Sequence, residues 1–561
     1  MDTTNEKIKI MNKDGIKMKK TDKYVGLLLA LTLCGSAVGC NGGSGNGGGF
    51  EEVEGKTNIR VATYNGGVGK QWLEDAARAF ELEFADESFE ENKTGVAINV
   101  EYCDGGDMME EQNLISDVYL TEVFDYYTFV NKGKLADISD VVTDDLARVG
   151  ESGKTIEGKL DTSFQSFLTA KDGNYYAIPF YEGFMGFIYD VDLFASRGYF
   201  LNESGEFTGD ETSLSTGIDG VAGTWDDGMP ETYSQFNKLI EKIRNDSGIT
   251  PILYGSDASG YWPKMMANYW ADYEGKDNMM KNWDFSGSFN VVTGFNGDTP
   301  TVEEYTFNRA DLANSVRELQ KQPGKYYALQ FLRDVVCGNS NNYKGMQYNA
   351  AQEAFIGSNV YSDGQYAMLV EGAWWENEAD LYGAFDAISY DDFNYNPADG
   401  EYKNTRRFAM MPVPMADEIA AKGGTHKSTL YSGNDAFCFI SANTTGAKLD
   451  VAKLFMQYLH TDAQMSAFTA KTSLTRALTY TVSDTDKASM TYFGTKVMEM
   501  KEASDIIYPY SGNDYYLRNS ATFMLERWGL AAKKDENPFT IFVQNSSMTA
   551  RTYFDSLYTN H

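Results

Sequence analysis

The sequence predicts an α/β protein with two lobes, each built on a mainly parallel β-sheet flanked by helices. The chain has 561 residues, and the part after a predicted signal segment, about 520 residues, is too long for one ordinary core. Strand and helix patterns alternate from residue 58 onward, which predicts parallel sheets. Two polar segments, 201–228 and 272–310, interrupt this alternation and are expected to be irregular insertions.

The N-terminus is typical of an exported lipoprotein. Four lysines between residues 17 and 23 precede a short apolar run, 25–33, which is shorter than the about 20 residues of a membrane span and fits a signal peptide. The run ends in Ala37-Val-Gly-Cys40, which resembles the bacterial lipobox, with Ala37 in place of the usual leucine. We expect cleavage before Cys40, attachment of lipid to its thiol, and a flexible tether in the Gly-rich stretch 41–49.

The composition excludes several kinds of partner. The formal net charge is −33, which repels nucleic acid and anionic lipid head groups. Besides Cys40, the predicted mature chain contains Cys103, Cys337 and Cys438, too few and too scattered for a disulfide framework. Aromatic residues make up 14% of the chain, which supplies rings for stacking on sugars as well as for the core.

The first half of the chain begins with a βαβ pattern. Residues 58–64 form the first predicted strand, a helix with an apolar face follows at 70–84, and the second predicted strand is 96–102. Ser116–Tyr119 is interpreted as a strand end. A long extended run at 175–189 is followed by a helix from Asp192, and Pro230 is expected to open another helix.

The second half continues the alternation. Thr250–Tyr254 and Tyr366–Trp375 are predicted strands, and the latter ends in a tryptophan pair. Residues 436–440 form a predicted buried strand. A helix around Val451–Leu459 follows, and Thr461 with Gln464 predicts a capping box at the start of the next helix.

These segments, in this order, resemble the family 1 extracellular solute-binding proteins of ABC sugar importers, the group that includes maltose-binding protein. The segments that carry the resemblance are GKQWLEDAARAFE at 69–81, DV at 117–118, GKLADI at 133–138, YAIP at 176–179, GFIYDVDLF at 186–194, TYSQFNKL at 232–239, GQYAMLVEGAW at 364–374, PVP at 412–414 and AKLF at 452–455. The ordered series spans most of the predicted mature chain. The insertions and a long C-terminal stretch depart from the family pattern.

The resemblance implies two lobes joined by crossing segments, with the ligand in the cleft between them. We expect the crossings within 178–182, 370–374 and 459–461. The expected division is a signal peptide at 1–39, a lipidated cysteine and tether at 40–50, a first lobe of 51–180 plus 373–460, and a second lobe of 181–372 plus 461–561. Ligands of open parallel sheets bind at the carboxyl ends of the strands.

Sugars present apolar faces and hydroxyl groups, so a site for them requires aromatic rings together with carboxylates and amides. The candidate ligand-binding residues are Tyr64, Asn65, Asp117, Tyr119, Tyr181, Glu182, Trp262, Trp374, Trp375, Asp435, Tyr508, Tyr510 and Asn513. Asn65 serves equally well as a turn residue before Gly66, and Trp262 serves equally well as a core residue. Because neighbouring residues in an extended chain point in opposite directions, only one of Trp374 and Trp375 is expected to face the ligand.

Motifs for catalysis are absent from the sequence. Its histidines are His426, His460 and His561, and we find no His/Cys spacing for zinc, no calcium loop, no G-x-S-x-G sequence and no phosphate-binding loop. We therefore predict no catalytic residues, no metal and no cofactor. A surface-anchored carbohydrate-active enzyme stays open as an alternative, because an acidic pair for glycoside hydrolysis is not identifiable by sequence.

Our hypothesis from the sequence is a monomeric lipoprotein that captures a neutral sugar, an oligosaccharide, and delivers it to ABC permease subunits. The lipid on Cys40 would hold it on the outer face of the cell membrane, an arrangement that suits a Gram-positive-type bacterium without an enclosed periplasm. A second alternative is an adhesin or a sensor lipoprotein that does not transport its ligand.

Overall fold

Two mixed five-stranded sheets organise the part of the chain that the computed structural model describes. That part comprises residues 52–64, 66–103, 114–122, 125–258, 260–357, 365–385, 406–423, 426–433, 436–514 and 537–559. Residues Gly49–His561 belong to one unit, and Met1–Gly48 is a separate unit outside the described residues. The predicted signal peptide, the tether and Cys40 therefore lie outside the described residues.

The strands of the described part are, in chain order, β1 (Thr57–Tyr64), β2 (Val96–Cys103), β3 (Val118–Thr121), β4 (Ile178–Pro179), β5 (Met185–Asp190), β6 (Phe200–Leu201), β7 (Phe207–Thr208), β8 (Ile249–Gly255), β9 (Ser288–Asn296), β10 (Thr299–Thr306), β11 (Tyr343–Met346), β12 (Gln365–Gly372), β13 (Phe408–Met410), β14 (Thr429–Tyr431), β15 (Phe437–Ile440) and β16 (Asp505–Ile507).

The α-helices of the same part are α1 (Gln71–Glu83), α2 (Tyr126–Asn131), α3 (Ser139–Thr143), α4 (Thr162–Leu168), α5 (Val191–Arg197), α6 (Tyr233–Arg244), α7 (Tyr261–Asp284), α8 (Leu312–Leu319), α9 (Pro323–Gln330), α10 (Tyr348–Ile356), α11 (Trp375–Leu381), α12 (Asp417–Lys422), α13 (Ala447–Leu459), α14 (Asp462–Thr472), α15 (Asp484–Ser489), α16 (Tyr492–Ala503), α17 (Pro538–Gln544) and α18 (Ala550–Thr559). Among these helices, none has the length and hydrophobicity that a membrane span requires.

The first sheet has the strand order β2-β1-β3-β15-β4. β1 runs parallel to β2 and β3, and β15 is antiparallel to β3 and β4. Four of its five strands therefore point in the same direction, and β15 is the reversed one. Helices α1 and α13 pack next to β1 and β2, as the predicted βαβ beginning requires.

The second sheet has the strand order β11-β8-β12-β5-β13. β8 runs parallel to β11 and β12, whereas β5 is antiparallel to both β12 and β13. This sheet also contains a single reversed strand, β5. The two sheets bear out the predicted α/β fold with mainly parallel sheets, and they bury the aliphatic and aromatic side chains of their strands against the flanking helices.

The chain passes between the two sheets at positions that differ in part from the predicted ones. The first crossing, between β4 and β5, agrees with the predicted segment 178–182. The predicted crossing at 370–374 is wrong, because β12 and β13 both belong to the second sheet, and the chain returns to the first sheet between β13 and β15. The predicted crossing at 459–461 is also wrong, because α13 and α14 both pack against α1 beside the first sheet.

These pairings place Phe408–Met410 in the second sheet, although we assigned it to the first lobe. They also place α14 next to the first sheet, although we assigned it to the second lobe. The physical reason is hydrogen bonding, since β13 satisfies the free edge of β5. Beyond these two segments, the predicted lobe boundaries stay a prediction.

The segment 272–310 is not the irregular insertion that we predicted. Helix α7 continues to Asp284, and β9 and β10 form an antiparallel hairpin. Asn296 pairs with Thr299, so the two-residue turn is Gly297-Asp298, with Gly297 at a φ of 64°, and a glycine in the first turn position is typical of such hairpins. The segment 201–228 is more irregular, although it contains the short pair of β6 and β7.

Helix α6 begins later than Pro230. Its N-cap is Thr232, whose side chain accepts a hydrogen bond from the Gln235 backbone, and the Gln235 side chain bonds back to complete a capping box. This reciprocal pair satisfies two backbone N–H groups. At α14, Thr461 caps the Gln464 backbone N–H, but the Gln464 side chain bonds to the Tyr458 hydroxyl instead.

A buried ion pair joins α7 to the β14–β16 pair of strands. The carboxylate of Asp272 lies 2.9 Å from His426 Nε2 and accepts a hydrogen bond from the Thr429 backbone N–H at 3.1 Å. Burial raises the pKa of Asp272. Burial alone would lower the pKa of His426, but the hydrogen bond and charge of Asp272 outweigh it, so that pKa is raised.

We expect this pair to make stability depend on pH. The folded-state pKa of His426 lies above its unfolded value of about 6.5, so its contribution is fully present below that pH and is lost as the pH rises through the folded pKa. Asp272→Asn should lower the free energy of unfolding by about 1–3 kcal/mol at pH 6. It should also remove the decrease in that free energy as the pH rises. Urea unfolding at several pH values between 6 and 9 measures both effects.

The matched control is Asp505→Asn, which removes an exposed partner of Lys427 and should cost about 1 kcal/mol or less. If the free energy of unfolding changes equally with pH between 6 and 9 in wild type and in Asp272→Asn, Asp272 does not stabilise the protonated form of His426.

Candidate functional site

A small cavity lies where strands of both sheets end. β1, β3 and β4 of the first sheet, and β8 and β12 of the second, lead into it with their carboxyl ends. Its volume is about 150 Å³. The first sheet contributes Tyr64, Gly66, Gly67, Glu122 and Tyr181 to its lining, and the second contributes Tyr261, Lys264, Trp374 and Glu378. This is the position at which open α/β sheets bind ligands.

Aromatic rings form much of the cavity wall. Tyr64 is the last residue of β1, Tyr181 follows β4, and Tyr261 is the first residue of α7. Trp374 occupies the N-cap position of α11. Its ring lies 6.0 Å from the Tyr261 ring, centroid to centroid, at an angle of 70°. Rings from both sheets therefore surround the same space, as a site that stacks on the apolar face of a ligand requires.

Two glycines bring the walls together. A Cβ atom on Gly67 would lie 2.9 Å from Trp374 Cβ and 3.1 Å from Glu378 Cβ. The side-chain amide of Asn377 donates a hydrogen bond to the Gly67 carbonyl oxygen. A Cβ atom on Gly66 would overlap the ring of Tyr64. The loop after β1 therefore touches α11 from the other sheet only because it has no side chains here.

Charged groups of both signs border the cavity. Glu122 directly follows β3, and Glu378 lies on α11. Lys264 is one helical turn after Tyr261 on α7, so the two side chains share a face of the helix. Carboxylates accept hydrogen bonds from hydroxyl groups and the ammonium group donates them, so the wall offers both roles to a polar ligand.

Two buried carboxyl groups lie together beside the cavity. Glu378 Oε2 accepts hydrogen bonds from the Tyr348 hydroxyl and from Gln352 Nε2, the latter at 3.1 Å. Burial, and then the negative charge of Glu378, raise the pKa of Glu371 well above its usual value. Burial also raises the pKa of Glu378, although its two hydrogen bonds lower it. Because burial and a neighbouring like charge both disfavour ionisation, the surroundings of the pair favour its protonated forms.

Three of the residues predicted from the sequence line the cavity, namely Tyr64, Tyr181 and Trp374. Tyr64 and Trp374 come from different sheets, and Tyr181 lies on the first crossing. Asn65 and Asp435 fall outside the described residues. The ligand-binding role of all five stays a prediction.

Asp117 and Tyr119 lie away from the cavity. Asp117 precedes β3 instead of ending it, and its carboxylate accepts hydrogen bonds from the Arg60 backbone N–H at 2.8 Å and the Thr444 hydroxyl at 3.0 Å. Tyr119 is buried against Phe439 with ring centroids 5.1 Å apart. The strand runs two residues further than we predicted, so Glu122 takes the position at its carboxyl end.

Glu182, Tyr508 and Tyr510 belong to the junction between the sheets. Glu182 is buried in an ion pair with Lys501 and accepts a hydrogen bond from the Tyr508 hydroxyl at 2.5 Å. Tyr510 stacks on Phe164 with ring centroids 4.8 Å apart. These three residues are not among those that line the cavity in the described part of the chain.

The remaining predicted residues serve the core or the surface. Trp262 stacks on Phe539 with ring centroids 4.1 Å apart, which supports its interpretation as a core residue. Trp375 is fully buried among aromatic rings, so it points away from the cavity that its neighbour Trp374 lines. The Asn513 side chain donates to the Asp284 carbonyl oxygen at 3.0 Å.

Sequence reasoning missed Glu122, Tyr261, Lys264 and Glu378. Correct placement of the end of β3 would have identified Glu122. Tyr261 and Lys264 follow the Gly255-Ser256 break after β8, the same signal that drew attention to Trp262. Glu378 lies four residues after Trp374 and therefore on the same helix face, but a helix beginning at Trp375 was not predicted.

A larger cavity of about 690 Å³ lies among α1, α11 and α14. Helix surfaces form it, and its lining includes Trp72, Glu376 and Phe468. It is separate from the strand ends, so the smaller cavity is the candidate site. Among the described residues, no three His, Cys, Asp or Glu side chains are placed to hold a metal ion.

Comparisons with known proteins agree with this architecture. A comparison with curated sequences gives no significant match. A chitin oligosaccharide binding protein has a similar structure, with a TM-score of 0.51, 14% identity, and coverage of 90% of this chain and 98% of that one. The cyclic alpha-maltosyl-1,6-maltose binding protein from Arthrobacter globiformis gives a TM-score of 0.50, 13% identity, and coverage of 90% and 100%. These likenesses bear out the predicted two-lobed fold.

The family comparison is more specific than the structural likeness. A family model described as bacterial extracellular solute-binding protein matches residues 71–466. The matched region contains the second sheet, the first sheet except β1, and every residue found at the cavity except those of the Tyr64–Gly67 segment. The chain belongs to the bacterial extracellular solute-binding proteins.

Proposed function

We propose that the protein is the capture subunit of an ABC importer and that it binds a neutral sugar, an oligosaccharide, in the small cavity. The observation that carries the proposal is the wall of aromatic rings and carboxyl groups at the strand ends of both sheets. Rings stack on the apolar faces of a sugar, and carboxyl groups accept hydrogen bonds from its hydroxyls. The protein performs no chemistry on the ligand and passes it to permease subunits in the membrane.

The electrostatics favour a neutral ligand over an anionic one. Glu122, Glu371 and Glu378 lie in or beside the cavity, with Lys264 as the cation in its described lining. The chain as a whole carries a formal charge of −33. An anion would therefore meet repulsion at long range and at the site.

Closure of the two lobes around the ligand lets the permease distinguish the loaded protein from the empty one. The contacts of Gly67 with Trp374 and Asn377 join the two sides of the cavity, so the closed form is held by both lobes. A ligand that touches both sides favours this form by its greater affinity for it. The permease then accepts the closed, monomeric form.

The lipid on Cys40 anchors the protein to the outer face of the cell membrane. The basic segment, the short apolar run and the small residues before Cys40 support this anchor, and the Gly-rich stretch supplies reach. Anchoring suits a Gram-positive-type cell, which has no enclosed periplasm to retain a free binding protein.

Calorimetry tests the ligand class and the aromatic wall together. The chain from Gly49 onward is titrated with neutral oligosaccharides, amino acids and short peptides, and binding of an oligosaccharide alone is expected. Trp374→Ala should then weaken that binding by about 2 kcal/mol or more, about 30-fold in Kd, because a central ring is lost.

Trp225→Phe is the control, since Trp225 is buried but is not among the residues at the cavity. Tight peptide binding without sugar binding would refute the ligand class, and release of shortened sugars during the titration would favour an enzyme.

Replacing Gly67 by alanine tests the closure. The added Cβ lies too near Trp374 and Glu378 for both contacts to persist, so the two sides should stay further apart. We expect affinity to fall at least about tenfold, and small-angle scattering should show a smaller ligand-induced decrease in radius of gyration than in wild type. Gly294→Ala, which meets open space, should behave as wild type, and an unchanged affinity for Gly67→Ala would contradict the closed arrangement.

The anchor is tested by labelling cells with an alkyne fatty acid. Cys40→Ser should abolish incorporation of the label and release the protein into the medium. Cys34→Ser, which changes the cysteine directly after the apolar run, is the matched control and should keep both label and membrane association. Retention of label in Cys40→Ser would disprove the lipid site.

A further inference from the structure

A stripe of side chains leads from the cavity to the surface along α11. Trp374, Glu378 and Tyr382 follow one another at intervals of four residues, from the N-cap to the C-cap of the helix. Residues spaced in this way lie on one face. At a rise of 1.5 Å per residue, the stripe spans about 12 Å. Its inner two members line the cavity, and its outer member is 49% exposed.

A second exposed tyrosine lies on the first sheet, near the outer end of this stripe. Tyr102 lies near the carboxyl end of β2, the same end at which Tyr64 of β1 enters the cavity, and it is 39% exposed. The Lys70 ammonium lies 5.3 Å from the Tyr102 ring centroid. A Cβ on the neighbouring Gly69 would lie 3.0 Å from Leu381, the residue before Tyr382. Tyr102 and Tyr382 are therefore brought together by adjoining elements.

The electrostatic surroundings of Tyr382 agree with this placement. Its pKa is raised by partial burial, by the Glu378 carboxyl group and by Tyr102. Tyr382 is therefore close enough to interact electrostatically with Glu378 of the cavity and with Tyr102 of the first sheet.

The small size of the cavity agrees with a continuation of this kind. Its volume of about 150 Å³ is below the about 300–1,000 Å³ of pockets that enclose a ligand of drug size. An oligosaccharide therefore leaves part of its length outside. Two exposed aromatic rings, one from each sheet, border the path along which that part emerges.

We propose that Tyr102 and Tyr382 form an outer subsite that stacks on a sugar ring of the ligand, while a different ring of the same molecule occupies the cavity. This inference rests on the proposed function and narrows it to a neutral oligosaccharide of two or more rings. The ligand lies along α11 with Glu378 between the two subsites. The subsite is complete only when both lobes are in contact, because each contributes one tyrosine.

The test is a series of affinities against ligand length. Calorimetry on the chain from Gly49 onward uses malto-, cello- and xylo-oligosaccharides of one to six rings, with wild type, Tyr102→Ala, Tyr382→Ala and Tyr382→Phe. For the series that binds, wild-type affinity should increase with length. Tyr102→Ala and Tyr382→Ala should each weaken the longer ligand about five- to tenfold and leave the shortest measurable ligand within about twofold, since one stacking contact is lost.

Tyr382→Phe keeps the ring and should retain the wild-type affinity. Leu82→Ala, which removes another exposed apolar side chain on the first sheet's α1, is the matched control and should change neither affinity. Thermal unfolding shows whether each variant is folded.

The outcomes separate the subsite from the proposed function. Sugar binding with equal losses for short and long ligands, or with no loss in either alanine variant, would overturn the outer subsite and leave the function standing. Wild-type protein that binds none of these saccharides, nor any in the wider panel, would overturn the function and the subsite with it.

Discussion

The buried charge of Glu182 fixes the place where the two sheets are joined. Lys501 neutralises it and the Tyr508 hydroxyl donates to it, while its backbone N–H bonds to the Thr475 carbonyl oxygen at 3.1 Å. Burial alone would lower the pKa of Lys501, but the Glu182 charge raises it. Removing either partner would leave an uncompensated charge at a cost of about 3–5 kcal/mol. The segment from β4 to β5 and the segment after α14 are thus held side by side at a well-defined position between the sheets.

The Glu182–Lys501 ion pair joins the sheets firmly, whereas the contact between the loop after β1 and α11 is weak. The loop after β1 touches α11 through Gly67 and Asn377, with no ion pair between the loop and the helix among the described residues. Small, uncharged contacts of this kind separate more easily than the Glu182 pair. The closure that we propose therefore concentrates at the cavity, where a ligand adds contacts to both sides, and spares the junction.

Sequence reasoning succeeded where one short pattern determines the outcome. The βαβ beginning, the strand end at Tyr64 and the crossing segment that contains Tyr181 depend on local periodicity and turn residues. Sequence reasoning failed where the position of a segment depends on the order of strands in a sheet. Nothing local in Phe408–Met410 reveals that it pairs with β5. Glu182 was predicted at the ligand because it lies on a crossing, but its partner Lys501 is 319 residues away in sequence. The direction of a side chain at a junction depends on such distant partners.

The carboxyl groups at the site show why a neutral ligand suits this architecture. Burial raises the pKa of both Glu371 and Glu378, and the charge of Glu378 raises that of Glu371 further, so the pair favours protonated forms, in which a carboxyl group donates as well as accepts hydrogen bonds. A sugar hydroxyl also donates and accepts, and it matches this pair without transferring a net charge into a buried region. A bound anion or cation would place a net charge in this buried region, which is costly. The geometry that brings the two groups together on β12 and α11 therefore favours hydroxyl groups over ions, and Tyr348 and Gln352 hold the pair in that arrangement.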